Sequence, residues 1–230
     1  MKNVMIRQPG YMPNIGFFKK IQSSDIFVFL DDVQFSKDSF DNRNKIKTIH
    51  GSEWITVPLK RPVFEKKLNH VSISYITNWI KDHSNKILDS YNSSAYFSSY
   101  WYDIEKILNK NYEYLIELNF ELINYFLKNL QISTELIKSS ELGITTTKTE
   151  RLIEICSKLN VTTYISGIGG KNYLDKSLFK NSKIDLKFEN FVHPSYNQLH
   201  GTFMKNMSII DLLFNEGSNS INIINNSKNF

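Results

Sequence analysis

Residues Val4 to Lys47 read VMIRQPGYMPNIGFFKKIQSSDIFVFLDDVQFSKDSFDNRNKIK, and this stretch decides the fold. Val4 to Ile6 is a short apolar run of the kind that forms a buried strand. Gln8-Pro9-Gly10-Tyr11-Met12-Pro13 cannot prolong it, because both prolines lack an N–H and Gly10 is a turn residue. Ile15, Phe17, Phe18 and Ile21 then recur at helical spacing. Ile26 to Leu30 is wholly β-branched, aromatic or Leu, which suits a parallel strand covered on both faces, and it ends in Asp31-Asp32. Strand, loop, helix and strand, with polar residues after each strand, predict an open α/β sheet. Ligands of such sheets bind at the carboxyl ends of the strands, so Gln8 to Tyr11 and Asp31 to Gln34 are expected to face one crevice.

Beyond this stretch the pattern is interrupted and then resumes. Phe35 to Asn44 reads as a polar and aromatic loop, too long for a hairpin turn and too aromatic for disorder. Lys45 to Ile49 and Glu53 to Val57 read as a strand pair, and Val71 to Ser74 as a short strand. Three helical patterns follow, at Trp79 to Tyr91, Tyr96 to Leu108 and Tyr112 to Leu130, the last apolar enough to be buried on most sides. Strands are expected again at Thr134 to Ile137, Thr162 to Ile165 and Leu186 to Phe188. Helices are expected at Lys148 to Leu159, with Thr147 and Glu150 as a capping box, and at Ser208 to Phe214. The expectation is one α/β domain over residues 1–217, a mostly parallel Rossmann-like sheet drawn from both ends of the chain. A β-loop and helical insertion fills about 44–132, and a frayed tail rich in Ser and Asn covers 218–230.

Composition narrows the function classes. A 41% apolar share in 230 residues supports a real core. A net charge of +5 is modest for that length and does not imply nucleic acid. Cys156 is the single cysteine, so an intrachain disulfide and a cysteine-based zinc site are excluded. Its setting, RLIEICSKL, is that of a core residue on an apolar helical face. No signal peptide or membrane-spanning run is visible, and the expected compartment is the cytoplasm.

The residues that carry chemistry fall into four groups. One of Asp31 and Asp32, after a buried strand, suits a base or hydrogen-bond acceptor, with Asp32 the favoured member, or the pair serves only as a strand-end turn or helix cap. Asn42-Arg43-Asn44-Lys45-Ile46-Lys47 enters a strand, where alternation places Arg43, Lys45 and Lys47 on one side; Arg43 can grip a diphosphate bidentately, or the strand is simply a solvated charged one. Ser166-Gly167-Ile168-Gly169-Gly170-Lys171 follows another buried strand; glycines let backbone N–H groups approach a phosphate and Lys171 adds charge, unless the segment is only a tight turn. It is neither a Walker loop nor a dinucleotide fingerprint. His193, in HPSYNQ, can act as a general base near neutral pH or be a hydrogen-bonded structural histidine. Tyr11, Phe35, Trp54 and Tyr173 are candidates to stack on a base or sugar ring, and Gln8, Gln34, Lys37 and Tyr196 complete the expected substrate contacts. No metal-ligand spacing joins the histidines, and no cofactor is expected.

The segments QPGYMPNIGFFKKI, FLDDVQFSKDSFDNRNKIKT with WITVP, ERLIEICSKL with YISGIGGKNYL, and HPSYNQL followed by SIIDLLFNEG occur together and in one order from Gln8 to Gly217. In this the chain resembles the WbqC-like family over almost its whole length. The resemblance implies a bacterial protein of surface-polysaccharide gene clusters, O-antigen clusters among them, with a transferase-like role. One departure is Asn14, where family members usually carry a bulkier, aromatic residue. The opening strand, PNIGFFKKI helix and strand are also similar in fold to adenylyl-transferring nucleotidyltransferases, but Pro13-Asn14-Ile15-Gly16 lacks the histidines of their triphosphate signature. Nucleotide binding at this helix N-terminus remains physically reasonable. The expected activity is transfer of a small acyl or aminoacyl group from an activated donor to the amine of a nucleotide-linked amino sugar. His193 and Asp32 are its expected catalytic pair, brought together because both follow strands of one sheet. A glycosyltransferase is the alternative enzyme, although no Asp-X-Asp metal motif is present, and a non-catalytic nucleotide-sugar binding or assembly protein is the alternative of another class.

Overall fold

The computed structural model describes residues 2–36 and 39–228. Five parallel strands form the sheet: β1 (Asn3–Arg7), β2 (Ile26–Phe29), β5 (Glu135–Lys138), β6 (Thr163–Ser166) and β7 (Asp185–Phe188). Their order is β5-β2-β1-β6-β7, with Met5 opposite Phe27 and Val4 opposite Tyr164. From β1 the chain steps outward through β2 to β5, then returns to the other side of β1 for β6 and β7. The order therefore reverses between β1 and β6, where an open α/β sheet leaves a crevice at its carboxyl edge.

Side chains of β2 alternate between two cores, as a period of two requires. Phe27 and Phe29 pack on one face with Phe17, Phe18 and Ile21 of α1 (Ile15–Gln22). Ile26 and Val28 pack on the other with Ile155 and Cys156 of α5 (Lys148–Lys158) and Phe179 of α6 (Lys176–Asn181). The antiparallel pair β3 (Arg43–Thr48) and β4 (Gly51–Thr56) follows the predicted hairpin, and the three predicted helices are α2 (Trp79–Tyr91), α3 (Phe97–Leu108) and α4 (Leu115–Asn129). These do not form a separate appendage. Leu122 and Phe126 of α4, Trp101 of α3 and Ile46 of β3 share one core with α1 and with α7 (Ile209–Glu216).

Several expectations are corrected. Residues 71–74 make only isolated bridges, Leu59 with Ile73 and Ser72 with Tyr114, rather than a strand. Thr147 is the N-cap of α5 but its side chain makes no capping bond, and Lys148 follows it at φ 53°. The stretch expected as a loose tail contains, among its described residues, a helix, α8 (Ser220–Asn226), with Ile224 fully buried. Its contact with α1 includes the Lys19 Nζ donating to the Asn225 carbonyl at 3.1 Å. No helix of the described residues is long and apolar enough to cross a membrane.

Candidate functional site

Two adjoining cavities lie at the sheet's carboxyl edge and share Arg7, the last residue of β1, and Gln8 just after it. The larger, about 320 Å³, sits at the β1/β6 reversal and is lined by Arg7, Lys20, Ser166, Gly167, Gly169, Gly170 and Tyr173, among others. The smaller, about 170 Å³, is lined by Gln8, Gly10, Asn14, Phe17, Phe40, Asp41 and Asn44. Strand β6 ends at Ser166, and a 3-10 turn over Ile168–Asn172 carries the glycines. Gly170 is the glycine this turn requires. A Cβ there would stand 2.1 Å from the Ser166 Oγ, whereas one at Gly169 would meet open space.

Two cations face this turn. Arg7 is reached by solvent although protein surrounds it, and this partial loss of water lowers its pKa against the raising effect of Asp41. Lys20 projects from α1 and pairs with the Glu189 carboxylate just beyond β7. Burial, and then the charge of Arg7, push the Lys20 amine down to about 7. On the other side of Arg7, Asp41 is 3% exposed, and burial raises its carboxyl pKa against the Ser39 hydroxyl and the Arg7 charge.

Of the predicted site residues, the structure brings Gln8, Ser166, Gly167, Gly169 and Tyr173 to the larger cavity and Gln8 with Asn44 to the smaller. Asn44 is largely structural, its amide donating to the carbonyls of Tyr11 at 3.2 Å and Met12 at 2.7 Å. Tyr11 is fully buried, with its hydroxyl 3.0 Å from His83 Nδ1, and offers no stacking surface. Lys47 is also buried; its ammonium donates to Gln198 Oε1 at 3.2 Å and the Thr202 carbonyl at 2.8 Å. Tyr196 donates to Asp211, a buried carboxylate that also accepts from Tyr91 and Gln198, so it belongs to a structural network. Lys171 reaches over the Phe188 ring, 5.5 Å from its centroid. Gln34 is exposed and bonds the Phe64 carbonyl. Arg43 lies 4.5 Å over Trp54 and lines a separate groove with Phe35, Arg61 and Phe64. Lys37 lies outside the described residues.

The expected catalytic pair is not formed. Asp32 accepts hydrogen bonds from Ser139 and Arg151, on the β5 side of the sheet. His193 uses both ring nitrogens locally: Nδ1 is 2.8 Å from the Pro194 carbonyl, and Nε2 accepts the Asn206 N–H at 3.1 Å. An acceptor at Nε2 leaves Nδ1 as the donor, a neutral tautomer already satisfied. Burial lowers the His193 pKa as well. Asp31 takes the turn role, accepting from the Ser140 N–H at 2.9 Å and the Ser140 hydroxyl at 2.6 Å. Cys156 is a buried core thiol pushed up to about 12 by desolvation.

Arg7, Lys20, Asp41 and Glu189 escaped the sequence reading. Arg7 carried the one available signal, a charged residue ending an apolar strand. Nothing in the helix pattern separates Lys20 from Lys19, and the burial of Asp41 comes from tertiary packing.

The WbqC-like protein family matches residues 8–223 of the chain. The uncharacterized protein Rv1507c of Mycobacterium tuberculosis is similar, 36% identical over 221 residues that make up 95% of each chain. No solved structure matches at a significant level.

Proposed function

The chain belongs to the WbqC-like protein family, and we propose that it is a transferase of bacterial surface-polysaccharide assembly acting on a nucleotide-linked amino sugar. A small acyl or aminoacyl group is transferred to the sugar amine. The observation that supports this reading is the crevice at the β1/β6 reversal, where Arg7 and Lys20 face the glycine-bearing turn after Ser166. Cations opposite a turn with accessible backbone suit a diphosphate. Tyr173, exposed and lining the same cavity, is the aromatic residue suited to stack on a base or sugar. In the transfer, the sugar nitrogen bonds to the carbonyl carbon of an activated acyl donor. The bond from that carbon to the donor's leaving group breaks, and the nitrogen's proton passes to a basic group or to water.

The test is a thermal-shift screen of nucleoside diphosphates and nucleotide sugars, followed by mass spectrometry of each binder incubated with acyl donors. A raised melting temperature and a mass gain on the amino sugar are expected. Free nucleoside diphosphate released from the sugar would replace acyl transfer by glycosyl transfer. Binding without turnover would leave a nucleotide-sugar binding protein, and no binding would overturn the reading.

A further inference from the structure

Asp41 is the least explained charge in the crevice. Its backbone is held from two sides: the N–H donates to Ser39 Oγ at 3.2 Å, and the carbonyl accepts from the Asn119 amide of α4 at 2.8 Å. The same amide holds the Pro9 carbonyl at 3.1 Å, which ties Asp41 to the loop leaving β1. The Tyr11 N–H donates to the Phe40 carbonyl at 3.0 Å and closes this corner further. Asp41 therefore has a fixed position in the wall of the smaller cavity. Yet its Oδ2 is buried and has no hydrogen-bond partner among the described residues. A carboxylate oxygen removed from water and left unpaired is costly, and such groups are normally satisfied. Arg7 does not pair with it closely: no described carboxylate forms an ion pair with that guanidinium. The remaining polar walls are Ser39 and the amide side chains of Gln8, Asn14 and Asn44, with the rings of Phe17 and Phe40.

The geometry points to a bipolar site: the Asp41 carboxylate receives the protonated amine of the ligand at the smaller cavity while Arg7, Lys20 and the Ser166–Gly170 turn hold its phosphate in the larger. The ligand class is a phosphorylated amino sugar with its amine free, and the assignment rests on the phosphate-site reading above. The two cavities share Arg7 and Gln8 in their walls, which sets them side by side, as a ligand with a group in each requires. An ammonium supplies a donor for the carboxylate and adds to the nearby charge of Arg7. An N-acylated amine carries no such charge.

The test compares glucosamine 1-phosphate, N-acetylglucosamine 1-phosphate and glucose 1-phosphate by calorimetry at neutral pH. The amine-bearing probe is expected to bind the native protein at least about tenfold tighter than the other two, the scale of one charge-assisted hydrogen bond. D41N should erase that preference. Equal affinities across the three probes in the native protein would overturn the amine site, and this comparison stands even where D41N fails to fold. A preference retained by folded D41N would overturn it too. The phosphate-site reading fails separately, if neither the sugar phosphates nor pyrophosphate bind at all.

Discussion

Arg7 and Arg43 show how little a residue type says without its surroundings. Arg43 lies against Trp54 in a groove away from the sheet edge, whereas Arg7 ends β1 and borders both cavities. Losing a charged hydrogen-bonding partner costs ~1.5–3 kcal/mol. Arg7→Ala is therefore expected to weaken nucleoside diphosphate binding by about 10- to 150-fold with the melting temperature kept, and Arg43→Ala to leave it unchanged. Titration calorimetry of both variants decides, and the reverse ranking would move the phosphate site to the groove. The glycines of the 166–170 turn divide in the same way. A Cβ at Gly170 meets Ser166 Oγ at 2.1 Å and Leu174 Cδ1 at 3.0 Å, both on buried side chains. Gly170→Ala should cost ~1–3 kcal/mol of stability through overpacking. Gly169→Ala, in open space, should leave the urea midpoint in place, and equal midpoints for the two would contradict this assignment.

At the scale of elements, segments with a clear apolar pattern were legible and polar ones were not. The α1 spacing and the IFVF strand declare themselves because apolar period and burial coincide there. Helix α6 is six residues of KSLFKN, started by Asp175 accepting from the Ser177 N–H at 2.9 Å; one capping residue before a polar hexapeptide is a weak signal. The same limit misled the reading of Asp32. A carboxylate after a strand looks alike whether it faces ligand or a neighbouring helix, and here α5 supplies Arg151. Burial acts to raise the Asp32 pKa, but the Ser139 and Arg151 hydrogen bonds and the Arg151 charge outweigh it, and the net shift is downward. A folded-state pKa below the unfolded value stabilises the fold above the unfolded pKa and is lost as pH falls through the folded one. Urea unfolding should therefore show the native protein losing more stability than Asp32→Asn from about pH 5 to about pH 3. At neutral pH the variant should be the less stable, since removing one partner strands the other's charge. Parallel pH profiles would show that the pair contributes nothing.

For the whole molecule, the insertion and the tail serve the sheet edge, and neither service is visible in the chain's order. Asn119 of α4 fixes Asp41 and the loop after β1, although the three lie far apart in sequence. The C-terminal stretch SINIINN lacks strong helix formers, which is why its Ser and Asn content reads as a loose end. Packing reverses that preference: Ile224 is fully buried and Ser220 nearly so, and α8 lies against α1. Beyond α8, the Val192 N–H donates to the Lys228 carbonyl at 3.0 Å, so the end of the chain also clasps the segment after β7. Helix α1 carries Lys20, and the residues just after β7 carry Glu189, so both members of the crevice's ion pair stand on elements that the tail holds. Removing residues 220–230 should then do two things. It should lower the melting temperature, because deletion of a buried Ile side chain alone costs ~2–5 kcal/mol. It should also weaken nucleoside diphosphate binding at temperatures where the truncated protein is still folded, because α1 and the 189–192 segment lose their shared support. Ile224→Ala separates the two effects, since it thins the packing without removing the backbone clasp at Lys228. It should lower stability while keeping most of the affinity. If the truncated chain melts like the full one and binds as well, the tail is dispensable and α1 is held by the core alone.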